Sequence, residues 1–272
     1  MERITRELER FIAPVPTSSP RLQSLLLVGA GGKGGAGATA LAAWAAARAS
    51  SKGHADYVRL ITAIDLLTGE GAAGDEARAA ALVDKFAEAR ESKASLLVLD
   101  DVDQLCGGTG PGGYSSVMIA TLRALLRTPP SSQTIAKAGG NSRPGTTGKS
   151  MQVIAATSRS DAACVTLNQI FSETLVVPLL SKREDVAKLF TDCTISTLIA
   201  NKEKMAAMIL DKLGPVGCKT ALRIAERSVA STGDFQSSTT ELKEDFQLQS
   251  LSTILDDLVG EEGSLTDLCN IA

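Results

Sequence analysis

Short apolar runs alternate with helical stretches through the first two thirds of the chain. Leu25-Leu26-Leu27-Val28 reads as a buried strand ending at Val28-Gly29; a glycine-dense segment follows, and an alanine-rich helix opens at Thr39. Tyr57 to Ile61 reads as a second strand and 64–74 as a loop. Residues 76–92 carry Ala80, Leu82, Val83, Phe86 and Ala89 at helical spacing. Ser95 to Leu99 is a continuous apolar run closed by Asp100-Asp101, as expected of a strand buried on both faces of a parallel sheet. Beyond it come a glycine loop over 107–113, a helix over 117–127 stopped by Pro129-Pro130, a polar Gly-rich insertion over 131–150, and strands over 153–156 and 175–178. The alternation predicts an α/β fold with a doubly wound parallel sheet.

The flanks read differently. Thr5 to Ile12 is a short amphipathic helix and 14–20 a Pro/Ser connector, whereas everything after Lys182 is helical, over 184–190, 194–212 and 217–228. A polar break over 231–240 precedes one more amphipathic stretch, 246–259. The expected organisation is a helix and linker (1–20), an α/β domain (21–180), a small all-helical domain (181–230) and a polar, acidic tail with one helix (231–272).

Composition narrows the function classes. Hydrophobic content of 44% and charged content of 22% suit a soluble globular protein, and 3% aromatics require an aliphatic core. A net charge of −3 with no Lys/Arg cluster argues against nucleic-acid binding. No apolar run approaches the ~18 residues of a membrane span, and residues 1–14 lack the apolar segment of a secretory signal. The five cysteines are dispersed with no C-x-x-C pair, the pattern of free thiols in a reducing, cytoplasmic setting. His54, the only histidine, lies in a polar segment and is expected on a surface loop, which leaves little room for His-based catalysis or a His-rich metal site.

Candidate chemistry centres on the glycine-dense segment. Gly32 to Thr39, GKGGAGAT, fits the phosphate-loop pattern G-x-x-x-x-G-K-[ST] with Ala38 in the lysine position. Gly32, Gly34, Gly35 and Gly37 free the backbone to turn N–H groups toward an anion, and the following helix N-terminus adds partial positive charge. Thr39 keeps the hydroxyl that ligates Mg²⁺ in such sites; Ala38 supplies no charge. The loop is about three residues longer than a compact one. A flexible Gly/Ala linker is the bland alternative, opposed by the order strand, glycine loop, helix. Lys33 begins K-G-G-A-G-A-T, which resembles the K-G-G-x-G-K-T loop of ParA/MinD-type ATPases, where the first lysine also reaches phosphate. Lys33 is then either a partial substitute for the missing charge or a solvated loop-tip lysine. A second G-K-S, at 148–150, lacks the first glycine (Arg143 stands there) and precedes a strand, so it is set aside.

Downstream, Asp100-Asp101 has the placement of a Walker B pair, the first carboxylate holding Mg²⁺ through water and the second orienting the attacking water. The alternative is a pair that merely starts the next turn. Thr157, after the run 153–156, stands where a sensor 1 residue touches the γ-phosphate, or else in an ordinary strand-end turn. Lys219 begins a helix from which a lid would reach nucleotide.

Together LLLVG…GATALAA, LLVLDDVDQL, GPGGYSS, TLRALLRTPP, VIAATSRSD, LNQIFSETLVVP and VGCKTALRIAE resemble the second ATPase domain of the N-ethylmaleimide-sensitive fusion protein family, the vesicle-fusing AAA+ ATPases, over about residues 5–228. The resemblance implies an AAA+ P-loop core with a parallel sheet flanked by helices and a helical lid. It makes Gly37 and Thr39 nucleotide-binding, Asp100 and Asp101 the metal and water-activating pair, Thr157 sensor 1 and Lys219 the sensor 2 lysine. ATP and Mg²⁺ are the implied cofactors, and a homo-oligomer, in that family a hexamer, the implied assembly. Vesicle fusion and SNARE disassembly are the implied process, in cytoplasm or at Golgi and vesicle membranes, with SNARE and adaptor contacts made through domains this chain does not contain.

Departures shape the expectation. Ala38 replaces the lysine, Asn168-Gln169-Ile170-Phe171 lacks the R-F-D arginine finger, as the family's second domain also does, and Leu66-Leu67-Thr68-Gly69 has no aromatic at the pore-loop position. The expected function is therefore ATP binding and ring formation with weak or no hydrolysis. A ParA/MinD-like ATPase and a nucleotide-free AAA+ scaffold stand as alternatives.

Overall fold

Every one of the apolar runs becomes a strand. In the computed structural model β1 (Leu22–Gly29), β2 (Tyr57–Ile61), β3 (Ala94–Leu99), β4 (Ser150–Thr157) and β5 (Glu173–Val177) form one parallel sheet in the order β2-β3-β4-β1-β5. The structure describes residues 2–16, 21–30, 35–67, 74–107, 113–130, 149–158, 162–193, 195–231 and 240–269. The three central strands are buried almost throughout, which is why they read as unbroken apolar runs, while β2 and β5 at the edges are half exposed. The chain divides into two compact units, Met1–Lys33 with Ala38–Val177 and Gly34–Gly37 with Pro178–Ala272.

The first unit holds the sheet and the helices α1 (Glu2–Phe11), α2 (Ala38–Ser51), α3 (Asp75–Glu91), α4 (Val102–Leu105), α5 (Ser116–Arg127) and α6 (Ala162–Asn168). Alanine, the best helix former, dominates α2, and its buried positions Leu41, Ala42, Ala45 and Ala49 line one side of the helix. Asp75 and Glu76 complement the positive end of α3, which buries Leu82, Phe86 and Ala89 in the same core as Leu26, Leu97 and Val153. Ser115 caps α5 by accepting the Met118 N–H. Gln152, buried on β4, fastens the end of α1 by donating to the carbonyls of Phe11 and Ala13.

Several expectations are refined. The loop over 64–74 includes a 3-10 turn, Ile64–Leu66, whose first residue Ile64 and following Leu67 are exposed; the rest of the pore-loop position lies outside the described residues. Of the 131–150 insertion only Lys149 and Ser150 are described. Ser150 opens β4, and the Lys149 ammonium donates to the Arg90 carbonyl at 3.0 Å, so the second G-K-S does lead into a strand. His54 is half-buried in the turn that closes α2, its N–H donating to Ala49. Ile170 and Phe171, at the finger position, are buried in the core.

The second unit packs α7 (Arg183–Asp192), α8 (Lys202–Leu213), α9 (Cys218–Ala230) and α10 (Thr240–Cys269) around Phe190, Ile209, Ile224, Leu251 and Leu255. The helix expected over 194–212 starts only at Lys202. Residues 195–198 form a turn, and the Asn201 side chain accepts the Lys204 N–H, an N-cap that stops the helix from extending backward. Residues 231–272, set apart in the sequence as a tail, supply α10, and two of its leucines are fully buried, worth about 1.5–3 kcal/mol each. Gln247 of α10 is 1% exposed; its amide accepts the Ala200 N–H and donates to the Leu198 carbonyl.

Candidate nucleotide site

In a parallel α/β sheet ligands bind beyond the carboxyl ends of the strands, and here four sequence candidates of the first unit meet at that edge. β4 lies between β1 and β3, with Val28 opposite Thr157 and Leu99 opposite Ala155. Thr157 is thus brought level with Asp101, two positions past Leu99. The exposed Thr39 hydroxyl, in the first turn of α2, donates to Asp100 Oδ1 at 2.7 Å. Sixty-one residues separate these two in sequence. No acidic side chain occupies the first turn of α2, so its positive end is not neutralised from within the helix.

Mg²⁺ is commonly held by one or two protein oxygens, with waters and substrate phosphates completing its octahedron. Thr39 and Asp100 fit that role. Among the described residues no group of three or more His, Cys, Asp or Glu could hold a metal.

Asp101 adopts a left-handed backbone, φ 44°, the only non-glycine among the described residues with positive φ. Such a conformation costs about 1–3 kcal/mol and persists only where surroundings enforce it. Here they do. The Asp101 carbonyl accepts the N–H groups of Gln104 and Leu105, its own N–H donates to Asp100 Oδ1 at 3.1 Å, and the α4 turn follows at once. Arg78 of α3 donates to the carbonyls of Gln104 and Leu105 at 2.9 and 2.6 Å, fixing the far end of α4. Asp103 within it is buried and accepts the Thr157 hydroxyl at 2.8 Å. Asp103 and Arg78 were not candidates in the sequence. A third carboxylate two positions after Asp101 in an apolar frame was a usable signal for Asp103; nothing in the sequence marks Arg78.

Gly32, Lys33 and Gly34 lie outside the described residues. Gly35 and Gly37 have φ of +90° and +101°, a left-handed backbone open to glycine and strained for any other residue. In the second unit the Gly35 carbonyl accepts the Lys219 N–H at 3.1 Å, so the main chain of Lys219 is tied to the loop. Gly217 makes this approach feasible, because a Cβ there would sit 2.7 Å from the Gly35 oxygen. Cys218 packs beside Gly37, and burial pushes its thiol pKa up; Cys106, the buried C-cap of α4, is pushed up to about 12 by burial. Both are neutral thiols at physiological pH. Ala38 is buried and adds no charge.

The sequence profile of the family described as ATPase family associated with various cellular activities (AAA) matches residues 26–179, more than half of the chain. The chain belongs to the AAA ATPase family. An AAA domain is a nucleotide-binding domain, typically with Mg²⁺, and the match spans Gly32 to Thr39, Asp100, Asp101 and Thr157. Lys219 lies beyond it. The match favours AAA over the ParA/MinD-like alternative. A comparison with curated proteins finds no match. No helix among the described residues of this AAA protein is long and apolar enough to cross a membrane.

The close approach at Gly217 yields a direct prediction. Gly217→Ala should push the 35–37 loop away from α9, at a cost of about 1–3 kcal/mol, and abolish hydrogen-exchange protection of the Lys219 amide. Unchanged protection of that amide would show that the loop does not depend on the glycine.

Proposed function

We propose that this chain is an AAA module that binds Mg·ATP, hydrolyses it weakly or not at all, and assembles into a ring, after the manner of the second ATPase domain of the vesicle-fusing ATPases. The observation that supports it most strongly is the Thr39–Asp100 contact, which brings a phosphate-loop hydroxyl and a Walker B carboxylate to one point at the carboxyl edge of the sheet. In this reading Gly32, Lys33, Gly34, Gly35 and Gly37 supply the anion-binding backbone, with Lys33 a partial stand-in for the charge that Ala38 lacks. Thr39 and Asp100 hold the metal, which neutralises phosphate charge. Asp101 orients a water, Thr157 stands at the sensor position, and Lys219 adds a cation to the phosphates. SNARE disassembly and vesicle transport, in cytoplasm or on Golgi and vesicle membranes, are the process proposed from the same resemblance.

Weak hydrolysis follows from three absences: no P-loop lysine, aspartate rather than the longer glutamate at 101, and no arginine finger at 168–171. An arginine finger alone is worth ~10³-fold or more. A nucleotide-free scaffold is the second reading, favoured by Ala38.

Calorimetric titration with Mg·ATP separates the two, since a scaffold gives no heat of binding. Ala38→Lys should tighten binding about ten- to a hundredfold, the worth of a charge-assisted hydrogen bond; no gain would mean that the longer loop aims that side chain elsewhere or that Lys33 already fills the role. Ring formation is read by sedimentation velocity with and without ATP. A hexamer is expected, and a monomer under both conditions would remove the ring-forming role.

A further inference from the structure

We infer, on the reading that this site takes phosphate, that the first turn of α9 holds residues 35–37 as an anion nest with the Ala36 N–H as donor. Gly217 and the main chain of Lys219 are its positioning residues. Ala36 is 3% exposed, and no hydrogen bond among the described residues uses its N–H. A buried main-chain N–H without a partner is rare and costly, so this one calls for an acceptor. Gly35 and Gly37 carry φ of +90° and +101°. Ala36 between them keeps a negative φ, since Asp101 is the only non-glycine among the described residues with a positive one. Such alternation of hand turns successive N–H groups to one side and makes a concavity for an anion. The ligand group is a phosphate or pyrophosphate oxygen, whether borne by a nucleotide or free.

What fixes the nest is α9, which belongs with residues 35–37 to the second unit. The Lys219 N–H donates to the Gly35 carbonyl at 3.1 Å. In a planar trans peptide the C=O and the following N–H point in opposite directions, and no peptide bond among the described residues is cis. The Ala36 N–H is therefore directed away from the Lys219 amide. Gly217 closes on the same peptide: a Cβ there would meet the Gly35 oxygen at 2.7 Å, its carbonyl carbon at 2.8 Å and the Ala36 nitrogen at 3.3 Å. One peptide unit is thus gripped through its carbonyl and across its face by main-chain groups at the start of a helix. Cys218, between the two, packs against Gly37. A glycine-rich loop loses much backbone freedom when a ligand orders it, and the grip removes part of that cost before the ligand arrives. The main-chain role of Lys219 is separate from that of its ammonium group.

The test uses the full chain carrying isotope-labelled alanine, titrated with Mg·ATP and with pyrophosphate while the Ala36 amide resonance is followed. Either ligand should move the Ala36 proton downfield as its N–H gains an anionic acceptor. Replacing Lys219 by its α-hydroxy acid turns the 218–219 amide into an ester, which removes the N–H and keeps the ammonium. That change should weaken Mg·ATP binding about tenfold and abolish the shift even at saturation. Gly217→Ala should do the same. Lys219→Ala, which keeps the N–H, should weaken binding but preserve the shift. An Ala36 resonance that stays put while the wild type binds Mg·ATP, or an ester variant that binds as the wild type does, overturns the inference and leaves nucleotide binding standing. Should Gly217→Ala fail to fold, the ester decides alone. A shift and ester dependence with pyrophosphate, without binding of Mg·ATP, would remove the nucleotide reading and keep the nest. Binding of neither ligand removes both.

Discussion

β4 is hydrogen-bonded between β3 and β1, and the chemistry at the sheet's carboxyl edge follows from that register. Leu99 opposite Ala155 and Val28 opposite Thr157 bring the ends of three strands level, so that residues far apart in sequence emerge at one edge. The apolar runs that bury these strands therefore do more than form a core. They set where Asp100, Asp101 and Thr157 stand, and the helix that follows β1 and the glycine loop brings Thr39 to Asp100.

The electrostatics at this edge are unusual for a phosphate site. Asp100, Asp101 and Asp103 put three carboxylates within four positions of chain, and Ala38 offsets none of that charge. Coulomb repulsion between phosphate and carboxylate groups strengthens where water is excluded, and in the proposed function a divalent cation would stand between them. The hydroxyl and carboxylate that would hold it are already in contact. The N-terminus of α2 favours an anion as well, though it carries only partial charge.

Much of the fold was legible because it rests on local pattern. Unbroken apolar runs marked β1, β3 and β4, Pro129-Pro130 marked the end of α5, and residues 57–61 matched β2 without adjustment. The helix expected over 194–212 was misjudged at its start because Asn201 was not weighed as a cap. The amphipathic stretch expected over 246–259 falls within α10, and its packing through Leu251 and Leu255 into the core of the second unit is a partnership that local pattern does not show. At the site, Thr39, Asp100, Asp101 and Thr157 were legible from spacing and position relative to strands. Asp103 and Arg78 were not weighed, since their importance lies in contacts across 54 and about 26 residues of sequence that only the tertiary fold creates.

The dependence of nucleotide binding on Mg²⁺ probes this arrangement most directly. Titration of the wild type and of Ala38→Lys with ATP, each with Mg²⁺ and with excess chelator, reads whether the metal carries the charge balance in place of the lysine. A site in which Thr39 and Asp100 hold the metal between phosphate and carboxylates predicts that the chelator abolishes binding to the wild type and only weakens binding to Ala38→Lys. Equal wild-type affinity with and without Mg²⁺ would contradict it.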